Sequence, residues 1–334
     1  LRRPGLLGGS LRARRLQRQK EAQEAAARRR EEQTAKEAER QRQSEQEKKQ
    51  REAERAEQRQ QLLAIQERLR NARAVKAAEA KQAVQQATVD GYTWSYRVNN
   101  GEVEIVAEKD GKFVCAVSPS PTGRIAIPKI LGGTTVASIG KEAFKGCGGL
   151  TSMTISENVK SIEQAVFYGC GNLTSVTLPQ RLANIGANAF MQCRKLAPVT
   201  IPVSVTNIGE AAFAYCLEMK HIDVEVGNQT FTSIDGVVYT KDRAELVVCP
   251  SGKSAMSIPD SVMKIRNGSF TGCEGLTSLT IPPTVKSIGA WAFSGSRLTS
   301  LTLPQGLSVI EDATFWGCHD LTSVTIPDSV TSIG

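Results

Sequence analysis

The chain has 334 residues, enough for two domains, and carries 42 Lys and Arg against 34 Asp and Glu, a formal net charge of +8. That excess is local: residues 1–90 hold 23 basic and 14 acidic side chains, whereas residues 91–334 hold 19 and 20. Attraction to a polyanion therefore belongs to the N-terminal arm alone, and no stretch reaches the ~18 consecutive apolar residues needed to span a bilayer.

Between Ser10 and Gly91 there is neither Gly nor Pro, and the composition is almost wholly Ala, Glu, Gln, Arg and Lys, all good helix formers. Lys20, Glu24, Arg28, Glu32 and Lys36 alternate in sign at i,i+4, where each pair adds roughly 0.2–0.5 kcal/mol. From Gln17 to Gln61 no Leu, Ile, Val, Met or aromatic residue occurs, so there is no apolar seam for a partner helix. Leu62, Ile65, Leu69 and Ala72 make two weak heptads before Lys76 and Glu79 interrupt them. Residues 1–90 are accordingly predicted to form a long charged α-helical arm, with a weak coiled coil and disorder as alternatives. Arg12, Arg14, Arg15, Arg18 and Arg28–Arg30 can neutralise phosphates, yet no aromatics interleave for base stacking. Nucleic acid or anionic membrane is thus a minor partner reading.

Near residue 90 the period changes. Tyr92, Trp94 and Tyr96 alternate with polar residues, and Asn99-Asn100-Gly101 and Asp110-Gly111 are hairpin turn signals. Val103 with Ile105, then Phe113 with Cys115 and Val117, supply further strands. Residues 91–126 read as a β-meander that covers the open end of a stack with aromatic bulk; an aromatic ligand platform is the alternative.

From there a phrase close to LTSVTIPxSVTSIGxxAFxGC returns every 23 residues or so. Leu150, Leu173, Leu196, Met219, Leu276, Leu298 and Leu321 head the copies, and Phe144, Phe167, Phe190, Phe213, Phe270, Phe293 and Phe315 keep the same beat. Such a period marks a solenoid, whose units bury their apolar faces only against one another. In residues 173–195, Leu173, Val176 and Leu178 point inward along a short strand that Pro179 ends. Leu182 and Ile185 give a second inward patch, Gly186 permits a turn, and Ala189, Phe190 and Cys193 form a corner expected to be helical or 3₁₀. Neighbouring coils stack at about 4.8 Å, and each buried Leu, Ile or Phe contributes ~1.5–3 kcal/mol. The predicted fold is a β-rich leucine-rich-repeat solenoid over residues 127–334, ending partway through a repeat. Because Leu1 is not Met and Gly334 falls within a unit, the sequence reads as a fragment.

Met219 and Leu276 lie 57 residues apart where two periods would give 46, which places an irregular insertion at about 225–258. Its Phe231–Tyr239 segment, with Asp235-Gly236 in the middle, reads as a hairpin, and Leu246–Cys249 as a strand. Six of eight cysteines, Cys147, Cys170, Cys193, Cys216, Cys273 and Cys318, follow the repeat Phe by three residues. They form a periodic ladder of core thiols without metal-ligand spacing. Only His221 and His319 offer imidazoles, and no phosphate-loop, metalloprotease or nucleophile-elbow motif occurs, so no catalytic, cofactor-binding or metal-ligating residue is predicted. The outward strand positions are Ser152, Thr154, Ser175, Thr177, Thr200, His221, Asp223, Ser278, Thr280, Ser300, Thr302, Ser323 and Thr325. They form a candidate protein-binding face, although small and β-branched polar residues also simply suit exposed strands. Asn172, Asn228 and Asn267 head glycosylation sequons.

This repeat resembles the BspA-type leucine-rich repeat of bacterial surface proteins and of expanded families in some protists. The likeness covers roughly residues 124–334, and the Ile127–Gly140 opening and the Ser233–Pro250 insertion also resemble recurrent parts of such arrays. The resemblance implies a non-enzymatic, cell-surface or secreted adhesion module that binds host or matrix proteins, with no cofactor. The alternative is an intracellular scaffold whose basic arm contacts nucleic acid, anionic membrane or a helical partner.

Overall fold

A computed structural model of the chain describes residues 15–18, 20–21, 24, 84–109, 112–113 and 115–334. The chain divides into two units, Leu1–Lys81 and Gln82–Gly334. In the first, Arg15, Leu16, Gln17, Arg18, Lys20, Glu21 and Glu24 are helical and exposed. A long charged helix over residues 1–90 is not supported: the rest of the arm to residue 83, including the Leu62–Ala72 run, lies outside the described residues. Gln85–Val89, expected to be helical, is a strand paired antiparallel with Tyr92–Asn99. Asp90 and Gly91 both have positive φ (51° and 79°), the conformation of a tight hairpin turn. Ladder pairing along Tyr92–Asn99 there outweighs a weak helix propensity that Thr88 and Val89 already erode. Among the described residues no helix is long and apolar enough to cross a membrane.

In the second unit Tyr92–Asn99 is the centre of the N-terminal meander, pairing with Gln85–Val89, Glu102–Ile105 and Val117–Ser118. Trp94 and Tyr96 are buried on one face of it and Ser95 on the other, and the Trp94 ring stands edge-on to Phe144 with centroids 6.2 Å apart. Glu102–Ile105 then pairs parallel with Thr134–Ile139, so antiparallel pairing gives way to the parallel ladder of the solenoid.

Each coil contributes to two ladders. In one, Gly123–Ala126, Leu150–Thr154 and Ser175–Thr177 run parallel. In the other, Ile139, Ile162, Ile185 and Ile208 are successive register partners. Between the ladders the rings of Phe144, Phe167, Phe190 and Phe213 stack with centroids 5.2–5.4 Å apart and planes within 15°. Phe270, Phe293 and Phe315 form a second column at 5.1–5.7 Å. The spacing slightly exceeds the ~4.8 Å between strands because offset rings tilt across the stack.

The corners are hydrogen-bonded turns rather than helix. Met191 N donates to Asn188 O and Cys193 N to Phe190 O, both at 3.1 Å, but positive φ at Asn188 (57°) and Gln192 (62°) stops a helix from propagating. Corner backbones also ladder between coils, as in Phe190 N to Ala212 O at 2.8 Å. Gly186 serves close approach more than turning: a Cβ there would lie 2.6 Å from the Glu163 carbonyl carbon of the preceding coil.

In the insertion, Phe231–Ile234 and Val237–Thr240 form the hairpin, and Glu245–Val248 pairs antiparallel with Val237–Thr240 and parallel with Lys264–Ile265. The inserted chain thus supplies a ladder rung but no stacking Phe, and the core separates into two clusters on either side of it. Asn228 is fully buried, donating to Pro202 O and Val205 O and accepting from Thr230 N and Phe231 N, so this sequon is structural.

Replacing Phe190, which has a ring on both sides, should remove two stacking contacts and leave a cavity. Phe190→Ala is expected to lower unfolding free energy by about 3–5 kcal/mol in urea titration, whereas exposed Thr177→Ser should change it by less than about 0.5 kcal/mol.

Candidate functional site

The outward strand residues fall into two walls. Ser152, Thr154, Ser175 and Thr177 lie side by side on Leu150–Thr154 and Ser175–Thr177, with Ser175 Oγ donating to Ser152 Oγ at 2.9 Å. Thr200 pairs in register with Asp223 on the neighbouring ladder, and His221 Nε2 lies 3.7 Å from Asp223 Oδ2. Ser152 is half-buried and the rest of this set is exposed. The second wall holds Ser300, Thr302, Ser323 and Thr325 on paired strands, while Ser278 joins through a single bridge to Ser300 and Thr280 lies beyond it. All six are exposed. The insertion hairpin interrupts the row: Ile222 N donates to Gly236 O at 2.8 Å, where the next strand of the wall would otherwise pair.

The corners carry a second surface that periodicity did not reveal. In the slot two residues before the repeat Phe, every residue has positive φ: Glu142, Ala165, Asn188, Ala211, Gly268, Trp291 and Ala313. Most of these side chains are small. Glu142 and Trp291 are larger, and Trp291, at φ 58°, is a bulky residue held where it costs of order 1–3 kcal/mol. Its ring is nonetheless 46% exposed and meets Trp316, 63% exposed, with centroids 5.7 Å apart. Tyr215, also at positive φ (57°) in a slot usually filled by Gly, lies over Gly272 and reaches Gly295 with its hydroxyl; a side chain at either glycine would displace it. Burial foremost raises the Tyr215 phenol above its ordinary value, keeping it a neutral donor and acceptor.

These aromatics line a groove of about 470 Å³ spanning the junction of the two repeat arrays, with Tyr168, Met191 and Asn188 on its first-array side. One formal charge faces it, Glu210, whose Oε1 accepts from Asn267 Nδ2 at 2.8 Å. The groove arises because the inserted rung lacks a protruding corner: Gly268 packs directly on Ala211 and Gly272 on Tyr215. A sequence-level signal existed in Trp291 and Tyr215, which occupy slots whose other occupants are mostly small.

Burial pushes the Cys170 thiol up to about 12 and raises Cys193 and Cys216 as well, so these thiols stay protonated and donate to carbonyls of the preceding coil. Among the described residues no group of three His, Cys, Asp or Glu is arranged to hold a metal ion.

The family description "BspA type Leucine rich repeat region" matches the chain in six copies over residues 125–241 and 249–334. The chain is similar in structure to the pneumococcal vaccine antigen PcpA, at 23% identity and TM-score 0.51, covering 76% of this chain and 78% of that one. It is also similar to a leucine-rich cell surface protein from Faecalibacterium prausnitzii, at 22% identity and TM-score 0.46, covering 75% and 85%. A leucine-rich repeat protein from Bacteroides ovatus gives 22% identity and TM-score 0.45, covering 75% and 66%. Comparison with curated proteins gives no match. The PcpA likeness is one of fold.

If Trp291 is retained despite its backbone, replacing it should not harm the fold. Trp291→Asn, the residue found at position 188, is expected to leave stability unchanged or raise it by up to about 1 kcal/mol. Phe293→Ala in the same coil should cost about 3–5 kcal/mol in the same thermal unfolding assay.

Proposed function

Because this chain belongs to the BspA-type leucine-rich repeat family, we propose that it is a non-catalytic protein-recognition module displayed at a cell surface, where it adheres to host or matrix proteins. Leucine-rich repeat arrays are protein-interaction modules, and a rigid stack presents a preformed surface with little ordering cost on binding. The division into an N-terminal arm, a cap and a solenoid over 127–334 is part of the proposal, with the cap beginning before the expected residue 91 because Gln85–Val89 pairs with Tyr92–Asn99.

The observation that carries the reading is the Trp291–Trp316 pair: two large aromatic faces in water, one on strained backbone, at the mouth of a groove. Interface hot spots are enriched in Trp and Tyr, and a few such anchors supply most of the binding energy. The hydroxyl walls from Ser152 to Asp223 and from Ser278 to Thr325 are the proposed polar contact surface, offering donors and acceptors to a ligand main chain.

The intracellular-scaffold alternative places binding on the basic arm, and counterion release then makes it fade with salt. Surface plasmon resonance of the full chain over immobilised extracellular-matrix proteins separates the two. We expect binding to persist at about 1 M salt, where charges are screened within ~3 Å. Trp291→Asn with Trp316→Ser should weaken it tenfold or more, about 1.4 kcal/mol. Binding that vanishes with salt and ignores both groove and wall substitutions overturns the adhesion reading.

A further inference from the structure

Two of the eight cysteines, Cys115 and Cys249, stand outside the periodic ladder. Their positions relate to how the ladder begins. On interior rungs each ladder thiol donates to the carbonyl of the Phe one coil earlier: Cys170 to Phe144 at 3.0 Å, Cys193 to Phe167 at 3.1 Å and Cys216 to Phe190 at 3.2 Å. Cys147 is the first rung, so no earlier repeat Phe exists for it. Its Sγ instead meets Cys115 Sγ at 3.0 Å, across 32 residues of chain. This is within ~1 Å of the ~2.05 Å length of an S–S bond. The approach is pinned on both sides: Ala116 N donates to Ala143 O in the first corner, and Ser95 N to Ala116 O, each at 2.8 Å.

We propose that Cys115 and Cys147 are a modification site at which a disulfide fastens the N-terminal meander to the first rung of the solenoid. Cys115 is half-buried and reachable from solvent, whereas Cys147 is buried, which assigns the order of attack. The Cys115 thiolate attacks a small-molecule disulfide such as oxidised glutathione, and one glutathione leaves as its thiol. Cys147 then attacks Sγ of Cys115, and its proton passes to the second departing glutathione. Two protein thiols are oxidised and one glutathione disulfide is reduced to two thiols. The Cys147 hydrogen bond, the largest influence, lowers the Cys115 thiol below its ordinary value and so favours it as the first attacker.

The other off-ladder cysteine provides an internal contrast. Cys249 sits beside Cys273, the first rung of the second array, and their side chains interact, with Cys273 Sγ also 3.6 Å from Cys249 O and Cys249 Sγ 3.5 Å from Met256 Sδ. Both thiols are buried, out of reach of a dissolved oxidant. Oxidation should therefore stop at one bridge.

The test incubates the folded full chain with oxidised glutathione, denatures it, counts free thiols and maps tryptic peptides. We expect eight thiols to fall to six and residues 113–124 to be found joined to residues 146–160. Oxidation should raise the melting temperature of the second unit by roughly 5–10 °C, reversed by dithiothreitol. Cys115→Ser should abolish the joined peptide, while Cys170→Ser should retain it. A stable glutathione adduct on Cys115 without closure, bridging between ladder neighbours, or eight persistent thiols would each overturn the proposal. The bridge is read out without any ligand, so its failure and that of the adhesion reading are distinguishable.

Discussion

Parallel backbone ladders force every coil to repeat its inward residues directly above those of the coil before. Ile162 must pair with Ile185 and Phe167 must lie under Phe190, because a ladder fixes register in whole residues. Insertion of a single residue inside a strand would turn its inward side chains toward solvent, whereas the turn from Phe293 to Leu298, one residue shorter than its equivalents, leaves Phe293 stacked on Phe315. The 23-residue period is the sequence-level form of that rule, and the absence of a side chain at Gly186 is another, since the preceding backbone occupies the space. No coil is stable alone. The stack is held by contacts between coils, and its two ends need different solutions from its middle.

At the N-terminal end, Trp94 supplies an edge where the phenylalanine column begins, and Cys115 supplies a sulfur where the thiol ladder begins. The interior irregularity obeys the same logic. Glu245–Val248 keeps the backbone ladder going, so the stack survives, but without a repeat Phe or a full corner it leaves the core in two clusters. The neighbouring corners then close on each other at Ala211 and Gly268, and Tyr215 leans over Gly272. The same defect that splits the core opens the groove edged by Trp291 and Trp316.

This origin explains what could be read from the sequence and what could not. The fold was legible because Phe144 to Phe213, Ile139 to Ile208 and the ladder cysteines repeat in step, and a repeat is visible without coordinates. The hairpin at Asp235-Gly236 announced itself by turn chemistry. The corners, expected to be helical or 3₁₀, are successive i→i+3 turns, and the αL requirement at Asn188 and Gln192 that stops them from becoming helix leaves only a weak compositional trace. Composition predicts helix over Gln85–Val89, and it hides a strand whose partner lies across a two-residue turn. The groove was missed because it brings Met191 and Trp316 together across an insertion that breaks the period. Likewise, the even row of outward hydroxyls proved to be two walls, since the hairpin pairs where the next strand would lie.

The most direct test of vertical register is deletion of one whole coil, residues 173–195, compared with deletion of residues 173–184. Removing the whole coil brings Phe167 into the place that faces Phe213 and preserves every ladder, so circular dichroism and cooperative thermal unfolding should show a shorter, less stable but folded solenoid. Removing half a period puts the inward residues of the following coils out of step, and that protein should fail to fold. If the whole-coil deletion unfolds while the half-coil deletion is tolerated, stacked register is not what holds this chain together.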